Sequence, residues 1–205
     1  MEQETLFTSS KWDILKVLSK GPKSPLELAK ETRTSIANIS QQLRLLELGG
    51  LVNKNRISNR DKDQPRLVYS LGGHRSFIIN LSQGFVEKEL VELKPYQQFS
   101  MRSWFTKDET RKYFVEKYYW KELDDNIDQI NAIALRNEYS TLRLFIICEK
   151  TVRTKIKKAT LSKDEVSVVV EPEFYTEEEL SKIPRQDLEI LYDPKNILNT
   201  KGGGY

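Results

Sequence analysis

Apolar residues in the first fifty positions recur at the three- and four-residue spacing of amphipathic helices. A first helix is predicted to end at Gly21, and a second begins at a capping box of Ser24 and Glu27 with Pro25 in its first turn. A third helix ends at Gly49. The three predicted apolar sides are Trp12, Ile14, Leu15, Val17, Leu18; Leu26, Leu28, Ala29; and Ile36, Ile39, Leu43, Leu46. Two helices joined by the polar turn 32–35 predict a helix-turn-helix.

Two strand-like runs follow, over residues 51–57 and 66–71, and the turn-rich segment 58–65 separates them. This pattern predicts a β-hairpin. Residues 51–75 carry Asp61 and Asp63 against a larger set of basic residues, namely Lys54, Arg56, Arg60, Lys62, Arg66 and Arg75. The predicted hairpin is therefore basic.

This order of elements resembles the winged-helix regulators of the ArsR and MarR type. The resemblance covers roughly residues 8–90 and is carried by LAKE at 28–31, ISQQLRLLE at 39–47, GLV at 50–52, NRD at 59–61 and PRLVYSL at 65–71. It implies a third helix in the major groove of DNA, a hairpin tip on the backbone or minor groove, and a dimer. One departure is Arg33, which stands where many such turns have glycine. Because arginine resists positive φ, we expect this turn to be built differently.

The third helix presents polar side chains opposite its apolar stripe. We predict that Asn38, Gln41 and Gln42 contact bases, since such amides pair with adenine in two-pronged fashion, and that Ser35 and Arg44 contact phosphates. A merely solvated helix face is the alternative, and its position beside a basic hairpin favours DNA binding. The complete predicted DNA-binding set is Ser35, Ala37, Asn38, Gln41, Gln42, Arg44, Lys54, Arg56, Arg60, Lys62 and Arg66.

The net charge of +3 is unevenly distributed along the chain. Residues 1–75 hold 13 basic and 8 acidic residues (+5), residues 76–139 hold 9 and 11 (−2), and residues 140–205 hold 11 and 11 (0). The excess positive charge of the first third favours a polyanionic partner such as double-stranded DNA. One cysteine, Cys148, and one histidine, His74, make an internal disulfide, structural zinc or metal sensing unexpected, and we predict no cofactor.

No apolar run is long enough to cross a bilayer, and the first residues lack the order of a signal peptide. We therefore expect no membrane association and a cytoplasmic location.

Apolar residues after position 75 predict a helix stopped by Pro95. This helix packs either on the first helix or on the two-fold mate of the chain, and we favour the dimer interface. Its predicted contact residues are Phe77, Ile78, Leu81, Phe85 and Leu90. A second long helix is predicted from a capping box of Thr106 and Glu109 through Ile133. The aromatic residues at 104–120 could stack on single-stranded bases, but core packing is the preferred interpretation.

The last third changes to strand patterning, with short β-branched runs at 142–148, 166–170 and 188–192 and a short helix capped by Thr176 and Glu179. Residues 150–163 carry six positive and no negative charges, and residues 164–179 carry seven negative and no positive charges. Mutual compensation is the simplest interpretation, with a nucleic-acid role for the basic stretch left open. Residues 150–163 suit either a helix or a strand.

This last third resembles the latter part of the nucleotidyltransferase fold at low specificity. Active members place a Gly-Ser turn after the first strand and paired carboxylates on the second. Here Glu149 and Lys150 follow the first strand, and Asp164 and Glu165, adjacent in a strand, would point to opposite faces. The resemblance therefore implies a domain that has lost catalysis.

The sequence thus predicts an α+β protein with a winged helix-turn-helix at 8–75, a helical dimerisation region at 76–138 and a small α/β domain at 139–200. The predicted function is that of a non-enzymatic, dimeric, sequence-specific transcription regulator. A small ligand or protein is a possible partner of its last domain. A nucleotidyltransferase targeted by its winged helix and a winged-helix scaffold for protein contacts are the alternatives.

Overall fold

A computed structural model describes residues 6–58, 65–106, 108–138, 141–183 and 188–198. The chain divides into two compact units, Met1–Glu92 and Leu93–Tyr205. The segment 76–138, predicted as one helical region, is split between them. Residues up to Glu92 complete the first unit as strands, and the remainder opens the second.

The first unit begins with the helices α1 (Ser9–Leu18), α2 (Pro25–Glu31) and α3 (Ile36–Leu48). The capping box predicted at the start of α2 is present, with the Glu27 carboxylate accepting from the Ser24 backbone N–H at 2.7 Å. The three helices share one core with the strands that follow. Its fully buried residues include Ile14, Leu28, Ile39, Leu43 and Leu46.

Three residues of the predicted apolar stripes, Trp12, Leu26 and Ile36, are exposed instead of buried. Leu26 and Ile36 lie in the first turns of α2 and α3. Helical side chains lean toward the N-terminus, so those of a first turn project past the end of their helix. Prediction of the buried face from helical spacing alone therefore includes one exposed residue too many at the start of α2 and one at the start of α3.

The turn between α2 and α3 contradicts the expectation that Arg33 avoids positive φ, because Arg33 has φ 56°. The backbone N–H of Thr34 donates to the carbonyl of Ala29 at 3.0 Å, which is the six-to-one bond of a Schellman helix end. The left-handed residue closes α2, and α3 begins three residues later, at Ile36. The turn thus has the backbone that glycine favours, with arginine in its place.

Strands β1 (Val52–Ile57) and β2 (Arg66–Leu71) form the predicted antiparallel hairpin, which we call the wing. Val52 pairs with Leu71 at its base and Ile57 with Arg66 near its tip. Lys23, between α1 and α2, exchanges two backbone hydrogen bonds with Tyr69 at 2.8 and 2.9 Å. This bridge, which the sequence pattern did not reveal, joins the start of α2 to the wing.

The helix predicted after residue 75 is wrong. Residues there form a second antiparallel hairpin, β3 (Arg75–Ser82) and β4 (Phe85–Glu92), which we call the arm. The apolar positions fit both periods, but β-branched and aromatic residues dominate, and Gln83 with Gly84 at φ +81° supplies a two-residue turn. Phe77, Ile78, Leu81, Phe85 and Leu90, predicted on one helix face, therefore lie on two strands.

The second unit opens with α4 (Pro95–Trp104) and α5 (Glu109–Tyr118), then a π-helical turn over Tyr119–Leu123 and a 3₁₀ helix over Asp124–Gln129. The long helix predicted through Ile133 is wrong, because the chain enters a strand at Ile130. The almost continuous apolar run from that point on is typical of a strand buried on both faces. The N-cap of α5 is Asp108, not Thr106.

A five-stranded sheet forms the centre of the second unit, in the order β7-β8-β6-β5-β9. Strands β6 and β8 are parallel, and the other neighbours are antiparallel. The elements are β5 (Ile130–Glu138), β6 (Thr141–Cys148), α6 (Lys150–Arg153), β7 (Ala159–Lys163), β8 (Val166–Tyr175), a 3₁₀ helix (Glu177–Lys182) and β9 (Glu189–Tyr192). The predicted strands at 142–148, 166–170 and 188–192 correspond to β6, β8 and β9.

Both faces of this sheet are covered. One face packs on α4 and α5, whose Phe99, Phe114 and Tyr118 meet Leu144 and Ile146 of β6. The other face, from Ala132 and Ala134 of β5 and Phe145 and Ile147 of β6, packs on Ile183 and the last described residues. Coverage on both faces explains why β5 and β6 are almost continuously apolar.

The basic connection 150–163 contains the short helix α6 and the strand β7, and the alternating residues 152–157, which suited a strand, lie in neither a single helix nor a strand. Arg153 pairs with Glu179 at 3.2 Å and Lys158 with Glu171 at 2.9 Å. Two of the six basic residues are thus compensated by the acidic stretch that follows.

Candidate nucleic-acid interface

Helix α3 lies on the outside of the first unit and exposes most of its circumference. Ile39, Leu43 and Leu46 are fully buried, whereas Ser40, Gln41 and Arg44 between them are exposed and Gln42 and Leu45 are half-buried. The Ser35 hydroxyl caps the helix by accepting from the backbone N–H of Asn38 at 3.2 Å. Three apolar anchors hold the helix to its core, and its exposed residues are available to a partner.

The outermost stripe of α3 consists of Ala37, Gln41 and Arg44, all exposed and spaced at i, i+4 and i+7. These positions stack along one side of a helix. The stripe combines a methyl group, an amide and a guanidinium. Such groups can contact a thymine methyl, an adenine edge, and guanine or phosphate, respectively. The structure therefore brings together three of the six residues predicted on this helix in their predicted outward orientation.

Asn38 and Gln42 lie beside this stripe and are half-buried. The Asn38 side-chain amide donates to the Thr34 hydroxyl at 3.0 Å, and Gln42 donates from Nε2 to the side-chain oxygen Oδ1 of Asn38 at 3.2 Å. We call this chain of side chains the amide ladder. The ladder fixes both amides along the helix, which leaves Gln41 as the amide that projects freely.

The wing places two of its predicted cations in solvent. Lys54 and Arg56 are two residues apart on β1, so both side chains project from the same face of the hairpin. Both are exposed. Arg60 and Lys62, predicted at the tip of the wing, lie outside the described residues.

Arg66 has a different environment from the other predicted DNA contacts. It forms an ion pair with Glu27 and donates from Nη2 to the Ser24 hydroxyl at 3.3 Å. Partial burial raises the pKa of Glu27, but hydrogen bonds from Arg66 and from the Ser24 backbone and hydroxyl outweigh it and lower that pKa to about 2. Arg66 therefore ties the wing to the first turn of α2. Lys23, nearby, is engaged with Glu31 at 2.7 Å.

Sequence reasoning missed two exposed residues at the start of α3. Arg33 presents its side chain to solvent from the left-handed turn, and Ile36 is 47% exposed in the first helical turn. The signal for Arg33 was available, as a cation directly before a capped helix N-terminus, where the helix dipole already attracts phosphate. Ile36 was assigned to the core by its spacing alone.

The five residues predicted for dimerisation lie on the arm. Phe77 and Leu90 pair with each other near its base and are half-buried, and the ring of Phe77 stacks on Phe7 at 5.0 Å. Ile78, Leu81 and Phe85 are exposed toward the other end. The structure thus brings the five together on one hairpin, although not on one helix face.

The second unit places its candidate carboxylates in a turn. Asp164, at φ 51°, and Glu165 connect β7 to β8, so they do not lie within a strand as expected. Within the described ranges no group of three or more His, Cys, Asp or Glu residues could hold a metal ion. Cys148 is buried, and its burial raises the pKa of its thiol.

Among the residues that the structure describes, none of the helices has the length and apolar character that a membrane span requires.

A family model described as a helix-turn-helix domain matches residues 13–55. The matched stretch contains most of α1, all of α2 and α3, and the first part of β1. Comparison with curated proteins finds no match. The N-terminal unit therefore contains a helix-turn-helix domain of the kind found in DNA-binding regulators.

Proposed function

We propose that this protein is a sequence-specific, double-stranded DNA-binding transcription regulator of the winged-helix ArsR or MarR type, and that it acts as a dimer. The observation that carries the proposal is the exposed stripe of Ala37, Gln41 and Arg44 on the second helix of a helix-turn-helix domain. In such motifs the second helix enters the major groove. The excess of positive charge in residues 1–75 gives the same unit its attraction to phosphate.

Gln41 is the principal base-reading residue in this proposal, and Ala37 contacts a thymine methyl beside it. Asn38 and Gln42 contribute through the amide ladder. The hydrogen bonds of the ladder hold both side chains along the helix. A side chain that is already ordered loses less conformational entropy on binding.

The phosphate contacts come from Lys54 and Arg56 on the wing, from Arg60 and Lys62 at its tip, and from Arg44 and the Ser35 end of α3. Arg66 serves as a positioning residue, since its ion pair with Glu27 fixes the wing against α2. Each phosphate neutralised by a cation releases counterions and steepens the salt dependence of binding. Contacts of this kind anchor the protein without selecting a sequence.

The second unit is proposed to sense a small ligand or to bind a protein. Its own core supports an independent role, and Trp104, Phe105 and Trp120 remain exposed on it. The nucleotidyltransferase alternative gains no support from the described residues, since Glu149 and Lys150 follow β6 where a Gly-Ser turn would hold triphosphate.

The experiment compares two kinds of variant in the intact chain, with duplexes selected from a random pool. The Asn38→Ala, Gln41→Ala double variant should lose most of the preference for selected over random duplex, at about 1–3 kcal/mol for each base contact. Arg56→Ala should weaken binding to every duplex alike and reduce the slope of log affinity against log salt by about one unit. Fluorescence anisotropy measures both quantities.

The controls are Gln129→Ala and Lys157→Ala, which remove an exposed amide and an exposed cation from the second unit. Both should bind as the unaltered chain does. The proposed roles are contradicted if the double variant weakens binding to selected and random duplexes equally, or if Arg56→Ala weakens binding to the selected duplexes alone. A comparable loss of slope in Lys157→Ala would instead assign a phosphate contact to the basic connection.

A further inference from the structure

The arm carries an apolar face that the described residues leave largely uncovered. Cross-strand pairing puts Phe77, Ile79 and Leu81 of β3 on one face with Val86, Lys88 and Leu90 of β4, so that Lys88 is the one charged residue on this face. Toward the tip of the arm the exposed fractions are 56% for Ile79, 76% for Leu81 and 69% for Val86. An isolated two-stranded hairpin is at best marginally stable in water. The arm is therefore expected to gain stability when further strands are added to it.

The two edges of the arm differ in charge. Strand β4 carries Glu87, Lys88, Glu89 and Glu92, which disfavour pairing with a further strand. Strand β3 is uncharged over residues 76–82, and no other described strand pairs with it. A long, uncharged, apolar edge is a template for strand addition. Of the two edges, only β3 lacks protection.

The hydrogen-bonding groups of β3 follow from the register of the hairpin. Ser82 and Phe85 flank the two-residue turn, and residues in that position exchange both backbone hydrogen bonds. Hydrogen-bonded and non-hydrogen-bonded pairs alternate along antiparallel strands. The backbone groups of Phe77, Ile79 and Leu81 therefore point away from β4, toward the open edge.

We propose that β3 pairs edge to edge with β3 of a second copy of this chain, antiparallel, with Ile79 on the two-fold axis. Ile79 then lies opposite its own copy, and Phe77 lies opposite Leu81 of the second copy. This register satisfies the outward groups with about six backbone hydrogen bonds. It places no like charges together, because the paired segments are uncharged. The inference rests on the proposed dimer and specifies its interface.

A cavity at the base of the arm supports this register. It has a volume of about 340 Å³ and is lined largely by apolar side chains, including Phe7, Trp12, Leu15, Phe77 and Leu90. Directly opposed residues in paired strands have their Cβ atoms about 5 Å apart on one face. Leu81 of the second copy therefore lies beside Phe77, which lines the cavity.

The direct test is site-specific cross-linking of the full chain. Ile79→Cys should form a disulfide-linked dimer under mild oxidation, because hydrogen-bonded residues across an antiparallel pair have Cα atoms about 5.5 Å apart. Val86→Cys is the matched control, since it lies on the same face but on β4, and it should remain largely uncross-linked. The single native cysteine, Cys148, is buried and does not interfere. Absence of the Ile79 cross-link, or an equal yield from Val86→Cys, would overturn the proposal.

A second measurement uses charge. Ile79→Lys brings two lysines together on the axis and should shift the chain from dimer to monomer in analytical ultracentrifugation, whereas Val86→Lys should leave it dimeric. Circular dichroism checks that both variants fold. A chain that stays dimeric with Ile79→Lys overturns the edge pairing, as does an unaltered chain that is monomeric. Failure of the unaltered chain to bind duplex DNA would contradict the proposed function and leave the cross-linking result standing.

Discussion

Arg33 determines how the helix-turn-helix turn is built. A left-handed backbone costs a residue with a Cβ atom roughly 1–2 kcal/mol, and glycine avoids that cost. Arg33 is exposed and adopts this conformation, so a local penalty is retained directly before α3. A cation at that position is near the N-terminus of the helix proposed to enter the groove. The penalty is consistent with a role in binding that glycine could not supply.

Arg33→Gly should therefore raise the free energy of unfolding by up to about 1 kcal/mol. This figure is the relief of backbone strain less the stability lost because glycine increases the conformational entropy of the unfolded chain. Arg33→Ala is the control, because alanine keeps the Cβ atom and gains nothing. Urea unfolding measures both. If glycine destabilises the protein, strain at this turn is not the explanation.

Glu27 couples the wing to α2 through its ion pair with Arg66 and its capping of Ser24. Its pKa of about 2 in the folded protein lies below the ordinary value of 4.5. The stability it contributes is therefore fully present above pH 4.5 and is lost as the pH falls through 2. Below that, the carboxyl group is neutral in both states.

Glu27→Gln should consequently flatten the fall of unfolding free energy between pH 4.5 and 2. Guanidinium titrations at a series of pH values measure this slope. Glu165→Gln, which removes a carboxylate from the turn between β7 and β8, is the control and should follow the unaltered chain. A Glu27→Gln variant as acid-sensitive as the unaltered chain would assign the slope to other carboxylates.

At the scale of elements, α3 combines a narrow buried side with a broad exposed one. Leu43 is fully buried, whereas Leu48 at the end of the same helix is 73% exposed. Both are leucines in one helix, so their difference isolates burial from helix propensity. The polar side can interact with DNA only while the buried side holds the helix in place.

Leu43→Ala should destabilise the protein by about 2–5 kcal/mol, from lost burial and the cavity left behind. Leu48→Ala should change stability by about 0.5 kcal/mol or less. Thermal unfolding followed by circular dichroism measures both. Equal effects would mean that α3 is not anchored by the core described.

The elements predicted best from the sequence are those whose ends are marked by capping residues, glycines or turn residues. The capping box at Ser24 and the glycines after α3 mark helix ends, and the basic hairpin follows as expected. The arm was missed because Phe77, Leu81 and Phe85 also suit helical spacing, and periodicity alone did not separate the two. Strand β5 was missed since burial on both faces removes the alternation that identifies a strand.

The sequence predicted which residues of the site face outward better than it predicted the contacts between their side chains. Pattern placed Gln41 and Arg44 outward, but the amide ladder and the engagement of Arg66 by Glu27 depend on contacts between side chains. The latter joins residues far apart in sequence, which spacing cannot reveal.

At the scale of the whole molecule, the excess positive charge and the helix-turn-helix domain both lie in the first unit. The first third holds the net positive charge, the helix-turn-helix domain and the wing, while the basic stretch of the second unit is partly compensated by Glu171 and Glu179. The side chains proposed to contact bases and the cations proposed to contact phosphates thus belong to one unit. A dimer would present two such units to one duplex.

The most direct measurement is a selection of duplexes from random DNA by the intact chain, followed by competition against random duplex at fixed salt. We predict an enriched sequence with two related half-sites, centred about one helical turn or a multiple apart, and bound at least about a thousand-fold more tightly than random DNA. A pool that shows no enrichment, or a chain whose duplex affinity is the same for every sequence, would contradict the account.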